Sequence, residues 1–307
     1  AFFAQVGRKR AEDPRERIVF NRGAGEVRHP VTRRPVPPKF LGGARPKTRG
    51  RDRRAVVAGW LVSPENPYFA RNLANRVWAH FFGGGIVEPV DDVRVSNPPS
   101  NPALLDALAR RFIAVRYDFK KLVRDICTSR AYQRSSVPNA TNRSDTRNFA
   151  RAAVRRIKAE VLLDCISQVT GTSEKFKGLP RGARAVQIAD GAYTTHFLTI
   201  FGRPRRETVC TCEVQLEPNL SQALHLINGP TVHRNILRGR RIKTWIEKGW
   251  KPKRIVNGLY TLCFSRPPRA EEWTAIEKRL ASAQDKRKFL EDLFWALLNA
   301  KEFGFNH

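Results

Sequence analysis

Methionine is missing altogether, even from the first position. The chain opens at Ala1, so its first residue reads as a point of truncation or processing instead of a native start. Cysteine is scarce. Cys127, Cys165, Cys210, Cys212 and Cys263 form an odd set with neither the C-x-x-C pairs of a zinc ribbon nor the C-x-x-C-H of haem attachment. No cofactor, and in particular no covalent haem, is therefore expected on this segment. No apolar run is long enough to cross a bilayer and no signal-peptide pattern stands at the front, so the segment reads as soluble with no membrane span. Acidic residues are few: 28 Asp and Glu face 57 Lys and Arg, a formal charge of +29. Such a field attracts nucleic acid, anionic lipid or acidic polymer. The basic residues are scattered over Arg8–Arg17, Arg28–Arg54, Arg151–Lys158, Arg203–Arg206 and Arg234–Arg254. They read as a cationic surface without a docking motif, so specific nucleic-acid recognition is not expected.

What is present points to helices. A chain of 307 residues can build one large or two small domains around a substantial apolar core. Residues 1–50 are rich in Pro, Gly and Arg, and Pro30, Pro35, Pro37, Pro38 and Pro46 deny the backbone a helix. This stretch reads as an extended arm or linker from an upstream domain. From residue 51 to residue 307 the spacing of apolar residues is helical, with loops at 83–99, 136–147 and 171–218. The expected fold is mainly α: an irregular multi-helix bundle behind a Pro/Arg-rich N-terminal arm, with a long irregular loop region around 171–218.

Several helices have legible ends. Asn101-Pro102 supplies a cap and a first-turn proline ahead of Leu104, Leu105, Leu108, Phe112 and Ile113. Asp118 caps the next helix, with Phe119, Leu122, Val123 and Ile126 on its stripe. A longer helix is expected near 148–170, with Phe149, Ala153, Ile157, Val161, Cys165 and Val169 at steps of four and Gly171 as its stop. The last helix runs near 285–303 from Asp285, burying Phe289, Leu293, Phe294 and Leu297.

The segment 66–82 is apolar around most of its circumference and is expected to be a buried central helix. Its Arg71, Asn75 and Arg76 then need partners, and Glu88, Asp91 and Asp92 in the following loop are nearest in sequence. A structural polar network of these six is the expected outcome, because an unpaired buried charge is costly. The pair Asp91-Asp92 could also act as general acid and base, but adjacent carboxylates point apart and are better read as pinning arginines. His80 falls on the apolar side and is read as a hydrogen-bonded core histidine. Gly83-Gly84-Gly85 follows a helix instead of preceding one, so it is a stop and turn, not a phosphate cradle.

The stretch 201–228 holds the candidate ligand-binding residues. Arg203, Arg205 and Arg206 could grip a carboxylate, sulfate or phosphate with their guanidinium forks. In the helix that follows, Leu220, Ala223, Leu224 and Ile227 share one side while Ser221, Gln222, His225 and Asn228 share the other. That second flank is polar yet uncharged, and in so basic a chain it is expected to meet another element, a cavity or a partner. Cys210 and Cys212 could join His225 or Glu213 in a soft metal site, but the set is incomplete and an internal hydrogen-bonded network is the stronger reading. No metal is expected, and no catalytic residue can be named.

Seven ordered blocks carry a family resemblance: Asn-Pro-Tyr-Phe-Ala-Arg (66–71), Asn-Arg-Val-Trp-Ala-His-Phe-Phe-Gly (75–83), Val-Glu-Pro-Val-Asp-Asp (87–92), Ser-Arg-Ala-Tyr-Gln (129–133), Phe-Gly-Arg-Pro-Arg-Arg (201–206), Gln-Ala-Leu-His-Leu-Ile-Asn (222–228) and the terminal run from Trp295. The chain resembles planctomycete-specific domain one, a domain family of unknown function. Gly84 departs from the family, which usually has a basic residue there. The resemblance implies the C-terminal part of a large exported, periplasmic or extracytoplasmic protein, with a cytochrome-c-like haem domain upstream. It thereby implies the upstream domains of the same polypeptide as partners. A non-catalytic interaction or scaffold domain, with acidic polysaccharide as a ligand, is the leading expectation. The alternatives are a hydrolytic or redox enzyme with its site around Cys210–Asn228, and unspecific nucleic-acid binding through net charge.

Overall fold

The structure is a computed structural model that describes residues 1–13, 16–208 and 217–306. The chain divides into two compact units, 1–129 and 130–307, and most of its regular structure is helical.

In the first unit, β1 (Val6–Arg10) pairs antiparallel with β2 (Arg17–Asn21), and β3 (Val27–Arg28) with β4 (Pro35–Val36). The described residues of 1–50 are thus free of helix, as their prolines require, but they are not a simple extended arm. Phe2 stacks on Phe40, and Phe40 stacks on Trp60 at 4.9 Å between centroids. Arg53 pairs with Glu26 and donates to the Gly25 carbonyl. Composition had no means of showing this fold-back, because it depends on rings far apart in sequence finding one another.

Four helices follow: α1 (Arg53–Leu61), α2 (Phe69–Phe82), α3 (Pro102–Ala114) and α4 (Phe119–Cys127). The caps read from sequence are in place: Asn101 accepts from the Leu104 amide and Asp118 from the Lys121 amide. The buried stripe of α2 is Ala70, Ala74, Val77 and Trp78, and it packs on α3 and α4. The helix is therefore central but not buried all round. His80 is exposed, with its ring edge-on to Phe81, which corrects its assignment to the core. The true stripe uses small alanines for close approach, so counting only large apolar residues aimed the helix wrongly.

In the second unit, β5 (Arg155–Arg156) pairs with β6 (Phe305–Asn306). The helices are α5 (Ala159–Thr170), α6 (His196–Ile200), α7 (Leu220–Asn228), α8 (Pro230–Gly239), α9 (Arg241–Glu247), α10 (Pro252–Phe264), α11 (Ala270–Ser282), α12 (Lys286–Asn299) and α13 (Lys301–Gly304), with a 3-10 turn at Ala185–Gln187. The helix expected near 148–170 starts only at Ala159. Upstream, Asp145 accepts from the amides of Arg147, Asn148 and Ala150, Phe149 sits at φ 56°, and 155–156 is spent on the strand pair. The inward stripe of α5 is Leu162, Leu163, Ile166 and Val169, one step round from the expected line, which leaves Val161 exposed.

The core of this unit is built by Leu162, Ile166, Leu198, Phe201, Val232, Ile255, Leu259 and Phe294. Gly171 stops α5 at φ 75°, and Asp285 caps α12 through the Lys288 amide. Arg266 ties α11 to α13 by bonding Glu272 and Glu302, and its hydrogen bond is the main reason Glu272 is held down at about 2. Among the described residues no helix is long and apolar enough to cross a membrane.

Candidate functional site

The six polar residues of the first unit do not form one network. Asn75, 1% exposed, spans the following loop by donating to the Val87 carbonyl and accepting from the Val87 amide, both at 2.9 Å. Glu88 accepts from the Gly85 amide at 2.6 Å. A Cβ on Gly85 would lie 2.2 Å from the Val87 carbonyl oxygen, so only glycine permits this turn. Arg76 pairs with Asp91 and Asp92 with Arg94, both near the surface. Arg71 reaches Asp106 on α3 at 3.2 Å, not the loop carboxylates. Helical rotation had placed Arg71 on the α3 side, a partner that sequence proximity does not reveal.

The arginine trio also separates. Arg203 is buried and all of its bonds go inward: Nε to Glu160 at 3.2 Å, Nη1 to the Tyr193 carbonyl at 2.5 Å, and Nη2 to the carbonyls of Ile188 and Asp190. With its side chain only 1% exposed, Arg203 serves as an internal tie of the fold. The reason is the burial of Glu160, whose charge needs a cation inside the fold. Arg205 is exposed, 3.9 Å from Glu207, and Arg206 donates to the Ala189 carbonyl. Cys210, Cys212 and Glu213 lie outside the described residues. The thiols of Cys127, Cys165 and Cys263 are raised by burial, Cys263 to about 12, so they stay protonated and poorly nucleophilic near neutral pH. Among the described residues no cluster of three or more His, Cys, Asp or Glu could hold a metal ion.

On α7 the neutral flank does turn inward, in part. Gln222 and His225 are buried, whereas Ser221 and Asn228 are exposed, as are Leu220, Leu224 and Ile227 of the apolar flank. Asn219 caps the helix through the Gln222 amide. Gln222 donates from Nε2 to the Ile200 carbonyl at 3.1 Å, and its buried Oε1 is left without a partner. His225 Nε2 meets Thr231 Oγ1 at 2.9 Å, and its ring stands edge-on to His196, Phe197 and Phe201. A cavity of about 170 Å3 opens here, with His196, His225, Thr231, Glu174, Lys175 and Arg234 among its walls.

Burial, and secondarily the nearby His196, pushes His225 below its ordinary value. Such an imidazole stabilises the fold fully above about pH 6.5, and the contribution is lost as pH falls from there through the depressed native value. The wild type is thus expected to lose more urea-unfolding free energy between about pH 7 and about pH 5 than His225→Gln. Equal pH slopes in the two proteins would show that His225 is not held neutral.

A second arrangement was not foreseen. Trp245 of α9 stacks on Trp250 at 4.8 Å, Arg241 lies over Trp245, and Arg254 lies over Trp250 at 4.1 Å. Lys253 lies 5.3 Å over Trp273 of α11. Among the described residues no carboxylate pairs with Arg241, Lys253 or Arg254. The one available signal was the alternation of tryptophan and basic residues through 241–254.

No curated protein and no solved structure matches the chain. The family model described as PSD1, protein of unknown function (DUF1553), matches residues 53–280. That match spans most of α1 to α11, including the Asn75 loop, the buried Arg203 and the His225 cavity, and the chain belongs to this family.

Proposed function

We propose that this chain is a non-catalytic interaction domain of a larger exported, cytochrome-c-associated protein, and that its cationic surface holds an acidic polysaccharide. The observation that carries the reading is the pair of exposed cations braced on tryptophan rings, Arg254 on Trp250 and Lys253 on Trp273. A ring face holds a cation through its quadrupole without cancelling the charge, so the cation stays fixed yet available to an oxyanion. Trp245 and Trp250 stack on each other, carry Arg241 and Arg254 against their rings and are partly buried against the core, which disfavours stacking by a nucleic-acid base. A polymer recognised through its sulfate or carboxylate groups suits this surface better.

Retention on immobilised sulfated polysaccharide, followed through a salt series against a neutral glycan and duplex DNA, tests the proposal. The wild type is expected to bind the sulfated chain selectively. Arg254→Gln with Lys253→Gln should lower the slope of log affinity against log salt by up to about two, one counterion per lost contact. No retention at low salt, or DNA binding at least as tight at matched charge, would overturn the polysaccharide reading.

A further inference from the structure

The cavity beside His225 has a composition that the polymer reading does not use. Its polar groups stand on separate elements: Glu174 and Lys175 on the segment after α5, His196 at the start of α6, His225 on α7, and Thr231 and Arg234 on α8. At about 170 Å3 it is below the range of pockets that enclose a whole drug-sized molecule, but it has room for one small polar group. Charge selects the sign of that group. Lys175 and Arg234 are exposed, whereas Glu174, the one carboxylate among the described lining residues, is engaged by the Asn235 amide at 3.3 Å.

The backbone adds to the same balance. α8 begins in this wall with Pro230 and has no side-chain cap, so the amides of its first turn have no intrahelical acceptor and carry the positive end of the helix. His225 and Thr231, 8% and 6% exposed, are bonded to each other, and a hydroxyl that serves an imidazole still has capacity for a second bond. A buried hydroxyl, two imidazoles, two exposed cations and a helix start converge on a space of oxyanion size.

We propose that the cavity between His196, His225, Thr231, Lys175 and Arg234 is a binding site for a single oxyanion group: a sulfate, a phosphate monoester or a carboxylate. Arg234 and Lys175 supply the charge and Thr231 a hydroxyl contact, and Phe197 and Phe176 form the apolar side of the wall. The site shares no residue with the tryptophan-braced cations, so either can fail without the other.

Ring-proton NMR of the histidines in the whole chain tests this with three probes, inorganic sulfate, inorganic phosphate and acetate, each against chloride at equal ionic strength. A saturable one-site shift of the His196 and His225 resonances with at least one probe is expected, and the probe that binds identifies the geometry. Arg234→Gln should weaken it at least tenfold and Arg234→Lys should restore part of that loss, with unchanged melting as the control on folding. Arg254→Gln should leave the shift as it is. No saturable shift with any probe, an unchanged affinity in Arg234→Gln, or an equal loss in Arg254→Gln would each overturn the assignment.

Discussion

Replacing Arg203 by methionine is expected to destabilise the second unit by about 3–5 kcal/mol, the range for breaking a buried ion pair by removing one partner. The loss has two sources. Glu160, 9% exposed, loses its hydrogen-bonded guanidinium, and the carbonyls of Tyr193, Ile188 and Asp190 lose their donors together. Urea unfolding of the whole chain measures it. Arg203→Lys should fall between, because an ammonium keeps the charge without the planar fork that reaches three carbonyls and a carboxylate. Adding Glu160→Gln to Arg203→Met should recover part of the loss, since the stranded charge is gone. A change below about 0.5 kcal/mol, the scatter of ordinary surface substitutions, would mean that Arg203 is free to bind a ligand after all.

The second large effect is expected at Asn75→Leu. The side chain is nearly isosteric, so packing in the first unit changes little, but both backbone groups of Val87 lose their partner in a buried loop. Each orphaned group costs about 1–3 kcal/mol, giving a total of roughly 2–6 kcal/mol. Hydrogen exchange at the Val87 amide gives the local readout and should accelerate by orders of magnitude beyond the global change. Asn75→Asp, which keeps the acceptor for that amide and loses the donor to the carbonyl, should protect Val87 N–H better than leucine does. If the amide stays protected in Asn75→Leu, the loop is held by something other than this bridge.

Both residues show how far a sequence can be read. Asn75 was legible as a polar group on a central helix that had to find a partner, and the loop at 83–99 was its nearest source. Arg203 was legible only as a cation in a basic turn, and the opposite role followed from its sequence neighbours Arg205 and Arg206. What separates the three is Glu160, forty-three residues away, and no local pattern encodes that meeting. The inward turn of Gln222 and His225 was readable because an uncharged polar flank is out of place on so basic a surface. Its exposed counterpart, Leu220, Leu224 and Ile227, was not, since an apolar stripe ordinarily faces the core.

Helix ends at Asn101, Asp118, Gly171 and Asp285 and the predominance of helix were determined by the sequence alone, because caps, stops and periodicity act over a few residues of backbone. The fold-back of residues 1–50, the rotation of α2 and α5 about their axes, the burial of Arg203 and the tryptophan-braced cations were decided only in three dimensions. Those features depend on which distant surfaces meet, and burial energy belongs to the pair of surfaces and not to either segment.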